Sequence, residues 1–273
     1  MPSRAARQPR LIAAAAALAA AALALVAAAP PASAQSSVRY VALGDSYSSG
    51  LGAGSYIGSS GSCDQSTNAY PQLWASASQP ASYVSVACAG ATTGSVISTQ
   101  LSALSTATTL ASITIGGNDV GFSGAMETCV LKPTSDCVSA IDAGEALVRS
   151  VLPNELDNVL GDIASAAPHA RVIVLGYPEL YDLSRSLFCI GLSTTDRTDL
   201  NQAADELDGA IQAAATRHGD TFVSVQPAFA GHEICDPRSW LHAVNFLNLT
   251  ESYHPTGAGQ ADGYYPAFAA AAG

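Results

Sequence analysis

Three apolar stretches in the first half of the chain each run straight into a turn of small residues. Val41-Ala42-Leu43 leads into Gly44-Asp45-Ser46. Tyr83-Val84-Ser85-Val86-Ala87 leads into Cys88-Ala89-Gly90. Leu110-Ala111-Ser112-Ile113-Thr114-Ile115 leads into Gly116-Gly117-Asn118-Asp119. Apolar runs of this length, bounded by turn residues, suit strands buried on both faces, which belong to parallel sheets. Residues 171–175 (Arg-Val-Ile-Val-Leu) and 221–225 supply a fourth and fifth strand. Between strands lie helical patterns at 70–78, 100–104 (weak), 137–166 (interrupted near Pro153 and Gly161) and 195–218. A last helix follows Thr256. The 129–137 segment, with Pro133 between two cysteines, reads as a loop. Alternating strands and helices predict an α/β fold: a three-layer, flavodoxin-like domain with a five-stranded parallel sheet of order 2-1-3-4-5.

The N-terminus stands apart. Arg4, Arg7 and Arg10 precede an alanine-rich apolar run over 11–29, and Ala32-Ser33-Ala34 closes it. These are the three regions of a secretory signal peptide, so 1–34 is expected to be removed and 35–273 to form one domain. Alanine drives membrane insertion weakly, and no later run is long enough to span, so no stable membrane anchor is expected. The formal charge is −11; loss of the three arginines takes it to −14. Lys132 is the only lysine. With no basic patch to neutralise phosphates, nucleic acid is excluded as a partner. Six cysteines (63, 88, 129, 137, 189 and 235) in a secreted chain imply disulfides, with 15 connectivities open. None has C-x-x-C spacing, and His232-Glu233 lacks the second histidine of a zinc helix, so no metal is expected.

Ser46, Gly90 and Asn118 each lie three residues past the end of their strand. In a 2-1-3-4-5 sheet those strands are neighbours, and ligands bind where their carboxyl ends meet the switch in strand order. The three turns should therefore place a hydroxyl, an exposed backbone N–H and a carboxamide in one crevice. Such a set suits acyl transfer. Ser46 is the nucleophile, and the N–H groups of Ser46 and Gly90 with the Asn118 amide hold the oxyanion. A serine also needs a base. Of five histidines, His254 is the best placed, in a turn stiffened by Pro255 just before the final helix. Asp45 and Asp119 are read as turn-forming, structural carboxylates.

Gly44-Asp45-Ser46-Tyr47, Gly90, Gly116-Gly117-Asn118-Asp119 and His254-Pro255-Thr256 follow, in order, the four blocks of the SGNH (GDSL-type) hydrolases. Over essentially the whole mature chain the sequence resembles the secreted lipase and esterase branch of that family from high-GC bacteria. The resemblance implies the sequential pairing Cys63–Cys88, Cys129–Cys137 and Cys189–Cys235. It also implies an orienting group three residues before the histidine. That position holds Glu251 rather than aspartate. A Ser46–His254–Glu251 triad and a dyad supported by the Glu251 carbonyl both remain open.

The expected function is a secreted, monomeric serine esterase or lipase that needs no cofactor and acts on lipid esters. Phospholipase A-type activity and deacetylation of a polysaccharide are the alternatives. A non-catalytic lipid- or glycan-binding module is the reading from another class. The 55–68 loop and the 122–133 segment are the candidate pocket walls.

Overall fold

The computed structural model describes residues 1–3, 37–189 and 191–273. The expected signal peptide therefore lies almost wholly outside the described residues. Ser36–Gly273 forms one compact unit. Its centre is a five-stranded parallel sheet of order β2-β1-β3-β4-β5, as expected. The strands are β1 Arg39–Gly44, β2 Ser82–Ser85, β3 Leu110–Thr114, β4 Arg171–Leu175 and β5 Thr221–Val223. The three central strands are almost entirely buried, which accounts for their unbroken apolar character. The edge strands β2 and β5 are partly exposed and shorter than their sequence runs.

In chain order the helices are α1 Ser46–Ser49, α2 Tyr70–Ser78, α3 Thr93–Ser95, α4 Phe122–Leu131 and α5 Thr134–Ser150. They continue with α6 Leu152–Ala166, α7 Thr194–His218, α8 Gln226–Phe229 and α9 Tyr265–Ala272. α9 continues out of a π-helical turn, Gly259–Tyr264. α2 and α9 meet over β1, where the Tyr40 ring packs edge-on against Trp74 at 5.2 Å and stacks on Phe268 at 5.4 Å. α5, α6 and α7 pack together, and Leu152 and Leu207 close over Gly116 just past β3. α7 starts in a capping box, Ser193 with Asp196, and stops at Gly219 in the left-handed conformation.

Two expectations need correction. The 129–137 segment is not a loop: α4 runs to Leu131 and α5 begins at Thr134, so both cysteines are helical. Pro133 sits at the N-cap of α5, where it starts a helix rather than interrupting one. The break in the long helical pattern falls at Val151, with Pro153 in the first turn of α6, and Gly161 lies within α6. The disulfides are Cys63–Cys88, Cys129–Cys137 and Cys189–Cys235. The first ties the turn after β2 to the 58–63 loop, assisted by the Ala89 N–H donating to the Cys63 carbonyl at 3.1 Å. A native disulfide of this kind typically contributes about 2–4 kcal/mol.

Candidate active site

The Ser46 turn is held from beneath. Gly44 has φ +116°, and a Cβ there would sit 2.4 Å from the Thr114 carbonyl oxygen, so only glycine allows β1 and β3 to approach this closely. The buried Gln100 side chain clamps the strand end: its Oε1 accepts from Gly44 N–H at 2.8 Å, and its Nε2 donates to the Gly44 carbonyl at 2.9 Å. Asp45 caps the one-turn helix α1 by accepting the Tyr47 N–H at 3.0 Å. Its carboxylate also accepts the hydroxyls of Thr114 (2.7 Å) and Tyr177. Burial raises the Asp45 pKa to about 6, against the effect of those three donors. Asp45 thus braces the turn, as does Asp119, whose carboxylate accepts the Thr93 N–H and hydroxyl and joins the third turn to the second.

The structure brings Ser46, Gly90, Asn118 and His254 to the lining of one cleft. His254 Nε2 lies 2.8 Å from Ser46 Oγ, and Nδ1 lies 3.0 Å from the Ser252 carbonyl oxygen. A carbonyl only accepts, so Nδ1 carries the proton and Nε2 is free to accept the Ser46 O–H. Burial is the main cause that lowers the His254 pKa, to about 4, with the Ser252 carbonyl opposing it. At neutral pH the imidazole is therefore an unprotonated base. Ser46 occupies the first position of α1, where its N–H has no helical acceptor. Gly90 is exposed at φ +77°, and its N–H meets no acceptor among the described residues. A Cβ there would touch nothing within 4 Å, so glycine serves the turn's conformation and leaves that space open. Asn118 Nδ2 donates one hydrogen to the Ala91 carbonyl at 3.0 Å, which fixes the amide and leaves its second hydrogen free.

Glu251 is placed differently from either form of its expected role. Its carboxylate accepts the Tyr56 hydroxyl at 2.5 Å, and its carbonyl accepts the His254 backbone N–H at 3.1 Å. The group facing the imidazole Nδ1 is the carbonyl of the next residue, Ser252. Three of the other four histidines are engaged elsewhere. His242 Nε2 donates to the Gly52 carbonyl at 2.7 Å, His232 stacks on Trp240, and His218 faces Asp157.

Several supporting residues are not signalled by the sequence blocks. Tyr47 donates its hydroxyl to the Tyr253 carbonyl at 2.8 Å. The residue after the serine is thereby bonded to the residue before the histidine. Tyr253 is a buried non-glycine residue at φ +66°. It is held further by its N–H to the His242 carbonyl (2.9 Å) and by a hydroxyl contact with Tyr181 (2.9 Å). Gln260, fully buried, donates to the Tyr47 carbonyl at 2.9 Å and accepts the Tyr70 N–H at 2.8 Å.

The cleft has a volume of ≈ 420 Å³. Leu51, Met126, Val130, Leu131, Val244 and Leu249 give it apolar walls, with Asp64 and Glu127 the acidic members. The expected 122–133 wall is present; the 244–252 wall was not anticipated. Among the described residues no three His, Cys, Asp or Glu side chains cluster as metal ligands. No described helix is long and apolar enough to cross a membrane.

A serine hydroxyl on a neutral imidazole, beside unspent N–H donors at the switch in strand order, is the geometry of a serine acyl hydrolase. Residues 42–261 match the GDSL-like Lipase/Acylhydrolase family, and the chain belongs to it. It is 54% identical over 233 residues to Lipase 1 of Streptomyces coelicolor, covering 85% of this chain and 86% of that one. The crystal structure of phospholipase A1 from Streptomyces albidoflavus superimposes with a TM-score of 0.83 at 47% identity, covering 85% of this chain and 98% of that chain. That of an extracellular lipase from Streptomyces rimosus gives 0.83 at 47% identity, covering 86% and 99%. The protein is a carboxylic-ester hydrolase.

Proposed function

We propose that this is a secreted lipase or esterase that hydrolyses lipid esters through an acyl-enzyme on Ser46. The 2.8 Å contact between Ser46 Oγ and His254 Nε2, in the lining of a largely apolar cleft, carries the reading. Ser46 Oγ attacks the ester carbonyl as its proton passes to Nε2. The imidazolium keeps its Nδ1–H on the Ser252 carbonyl, giving a dyad rather than a carboxylate triad. The N–H groups of Ser46 and Gly90 and the free Asn118 hydrogen receive the oxyanion; each such donor is typically worth about 10²–10³ in rate. His254 returns the proton to the leaving alcohol. It then activates water, which releases the acid and restores Ser46. Every group in the scheme comes from one chain.

Apolar cleft walls favour fatty acyl chains over the polar rings of an acetylated polysaccharide. The Streptomyces relatives, named a lipase, an extracellular lipase and a phospholipase A1, support acylglycerols and phospholipids as substrates. Residues 1–34 act as a cleaved signal peptide, a reading supported by the three disulfides and by the relative described as extracellular. The test is a hydrolysis profile over short chromogenic esters, long acylglycerols and phospholipids, run on native protein, Ser46→Ala and His254→Ala. The native enzyme turns over fatty esters and both variants fall to background. Equal rates in native and Ser46→Ala protein would overturn the proposal.

A further inference from the structure

The loop over residues 245–252 is built with its polarity inverted. Its polar groups close the loop on itself. Asn245 Oδ1 accepts the Leu247 N–H at 3.0 Å, and the Asn245 carbonyl accepts the Asn248 N–H at 3.0 Å. Asn245 N–H donates to Ser252 Oγ at 2.9 Å, and the Thr250 hydroxyl to Asn248 Oδ1 at 2.7 Å. With the polar side chains spent on the turn, the apolar ones face outward. Phe246 is 71% exposed, Leu247 98% and Leu249 54%; Leu131, at the end of α4, is 56% exposed. Leu249 and Leu131 also line the cleft that holds Ser46, as do Val244 and Val130. The outward Phe246 and Leu247 thus lie in the chain between two residues, Val244 and Leu249, that line the cleft of the nucleophile. Exposed patches of this kind mark sites of interaction.

We propose that Phe246, Leu247, Leu249 and Leu131 form a docking surface for a lipid layer with uncharged or zwitterionic headgroups, which presents the ester to the cleft. This rests on the lipid-ester reading of the same site. The charges select that occupant. Asp64 and Glu127 line the cleft, the chain carries −11 overall, and the sole lysine, Lys132, is the only basic residue adjoining these apolar residues in the chain. Anionic surfaces attract basic segments, whereas here the cleft carries Asp64 and Glu127 and the loop itself carries Glu251. Affinity should come from apolar side chains entering the interface, at a strength that scales with the area they bury.

The test separates docking from catalysis. Ser46→Ala protein, unable to consume the lipid, is sedimented with phosphatidylcholine vesicles and with vesicles containing phosphatidylglycerol. The same is done with Phe246→Ser/Leu247→Ser and with Leu247→Ser in that background. Vesicle binding should fall by about tenfold or more in the double variant and by less in the single one. It should be weaker on the anionic vesicles at low ionic strength and recover with salt. In the active enzyme the two loop variants should keep their rate on a soluble short ester and lose rate on phosphatidylcholine vesicles. Equal binding with and without Phe246 and Leu247, a preference for anionic vesicles, or an equal loss on soluble ester would each overturn the proposal. So would a dimer abolished by the double variant in a protein that binds no vesicle, since the patch would then belong to a second copy. Soluble-ester hydrolysis without vesicle binding refutes the docking surface alone; hydrolysis of no ester at all refutes the function beneath it.

Discussion

Tyr47→Phe isolates one hydroxyl that joins the two halves of the catalytic pair. The ring is buried and keeps its neighbours after substitution: His254 at a centroid distance of 5.3 Å, Tyr177 at 5.0 Å and Tyr264 at 6.0 Å. The backbone bonds of Tyr47 to Asp45 and Gln260 do not involve the hydroxyl. What is lost is the 2.8 Å bond to the Tyr253 carbonyl, which accepts from no other donor among the described residues. Leaving a buried carbonyl unpaired costs about 1–3 kcal/mol. Tyr253 also sits at φ +66°, a conformation that costs a non-glycine residue about 1–3 kcal/mol and persists only when its surroundings hold it. Stability should therefore fall by about 1–2 kcal/mol in a urea titration. Relaxation at Tyr253 moves the next residue, His254, and a displacement of about 1 Å can cost 10²-fold in rate. We expect kcat on a soluble ester to fall by about 10- to 100-fold with KM little changed. The acid limb of the kcat/KM profile should rise from about 4 toward the ordinary histidine value as the ring gains solvent. Wild-type kcat and an unmoved acid limb, with only the stability loss present, would refute this positioning role.

Asn118→Ala should lower kcat by about 10²–10³ with a small change in KM, read by steady-state kinetics on the same ester. Glu251→Ala should retain activity within about threefold, because the Ser252 carbonyl still holds Nδ1; a loss comparable to that of His254→Ala would restore the carboxylate to the catalytic apparatus. Stability should also vary with pH. Burial raises Asp45 to about 6 and Asp208 to about 7. Their stabilising effect is complete below the unfolded carboxylate value of about 3.9 and is lost as pH rises through 6 and 7. His254, lowered to about 4, works the other way: its contribution is complete above about 6.5 and is lost as pH falls to 4. From these three groups the melting temperature should rise as pH falls from about 7, hold level near 6 to 6.5 where Asp208 and His254 cancel, and rise again toward pH 4 where two carboxylates outweigh one imidazole; Asp208→Asn should shrink the rise.

Much of this architecture was legible because its parts leave local marks. β1, β3 and β4 are buried on both faces, so they read as unbroken apolar runs, and each of the three turns carries its functional residue three positions beyond the apolar run. The Gly44 and Gly90 positions were legible as small residues, though only coordinates separate crowding at Gly44 from conformation at Gly90. The helix pair around Pro133 was hidden because proline at an N-cap and proline in a loop look alike until a partner surface is known. The imidazole's support was hidden for a different reason. Every residue has a carbonyl, so sequence pointed to position 251, by side chain or by carbonyl, while the Ser252 carbonyl faces the ring. Tyr47 and Tyr253 are 206 positions apart, and nothing in a buried tyrosine's neighbours announces a bond of that range. The outward Phe246 and Leu247 are marked in the sequence only by a Phe-Leu-Asn-Leu run between polar residues.

The central claim is that Ser46 carries the acyl group and His254 is its base. Rapid-quench intact mass spectrometry during turnover of an activated ester tests it most directly, with peptide mapping of the trapped protein. The account predicts one acyl adduct, on Ser46, formed with a burst of alcohol product and absent from Ser46→Ala and His254→Ala. An adduct on another residue, or turnover that survives in Ser46→Ala, would contradict it.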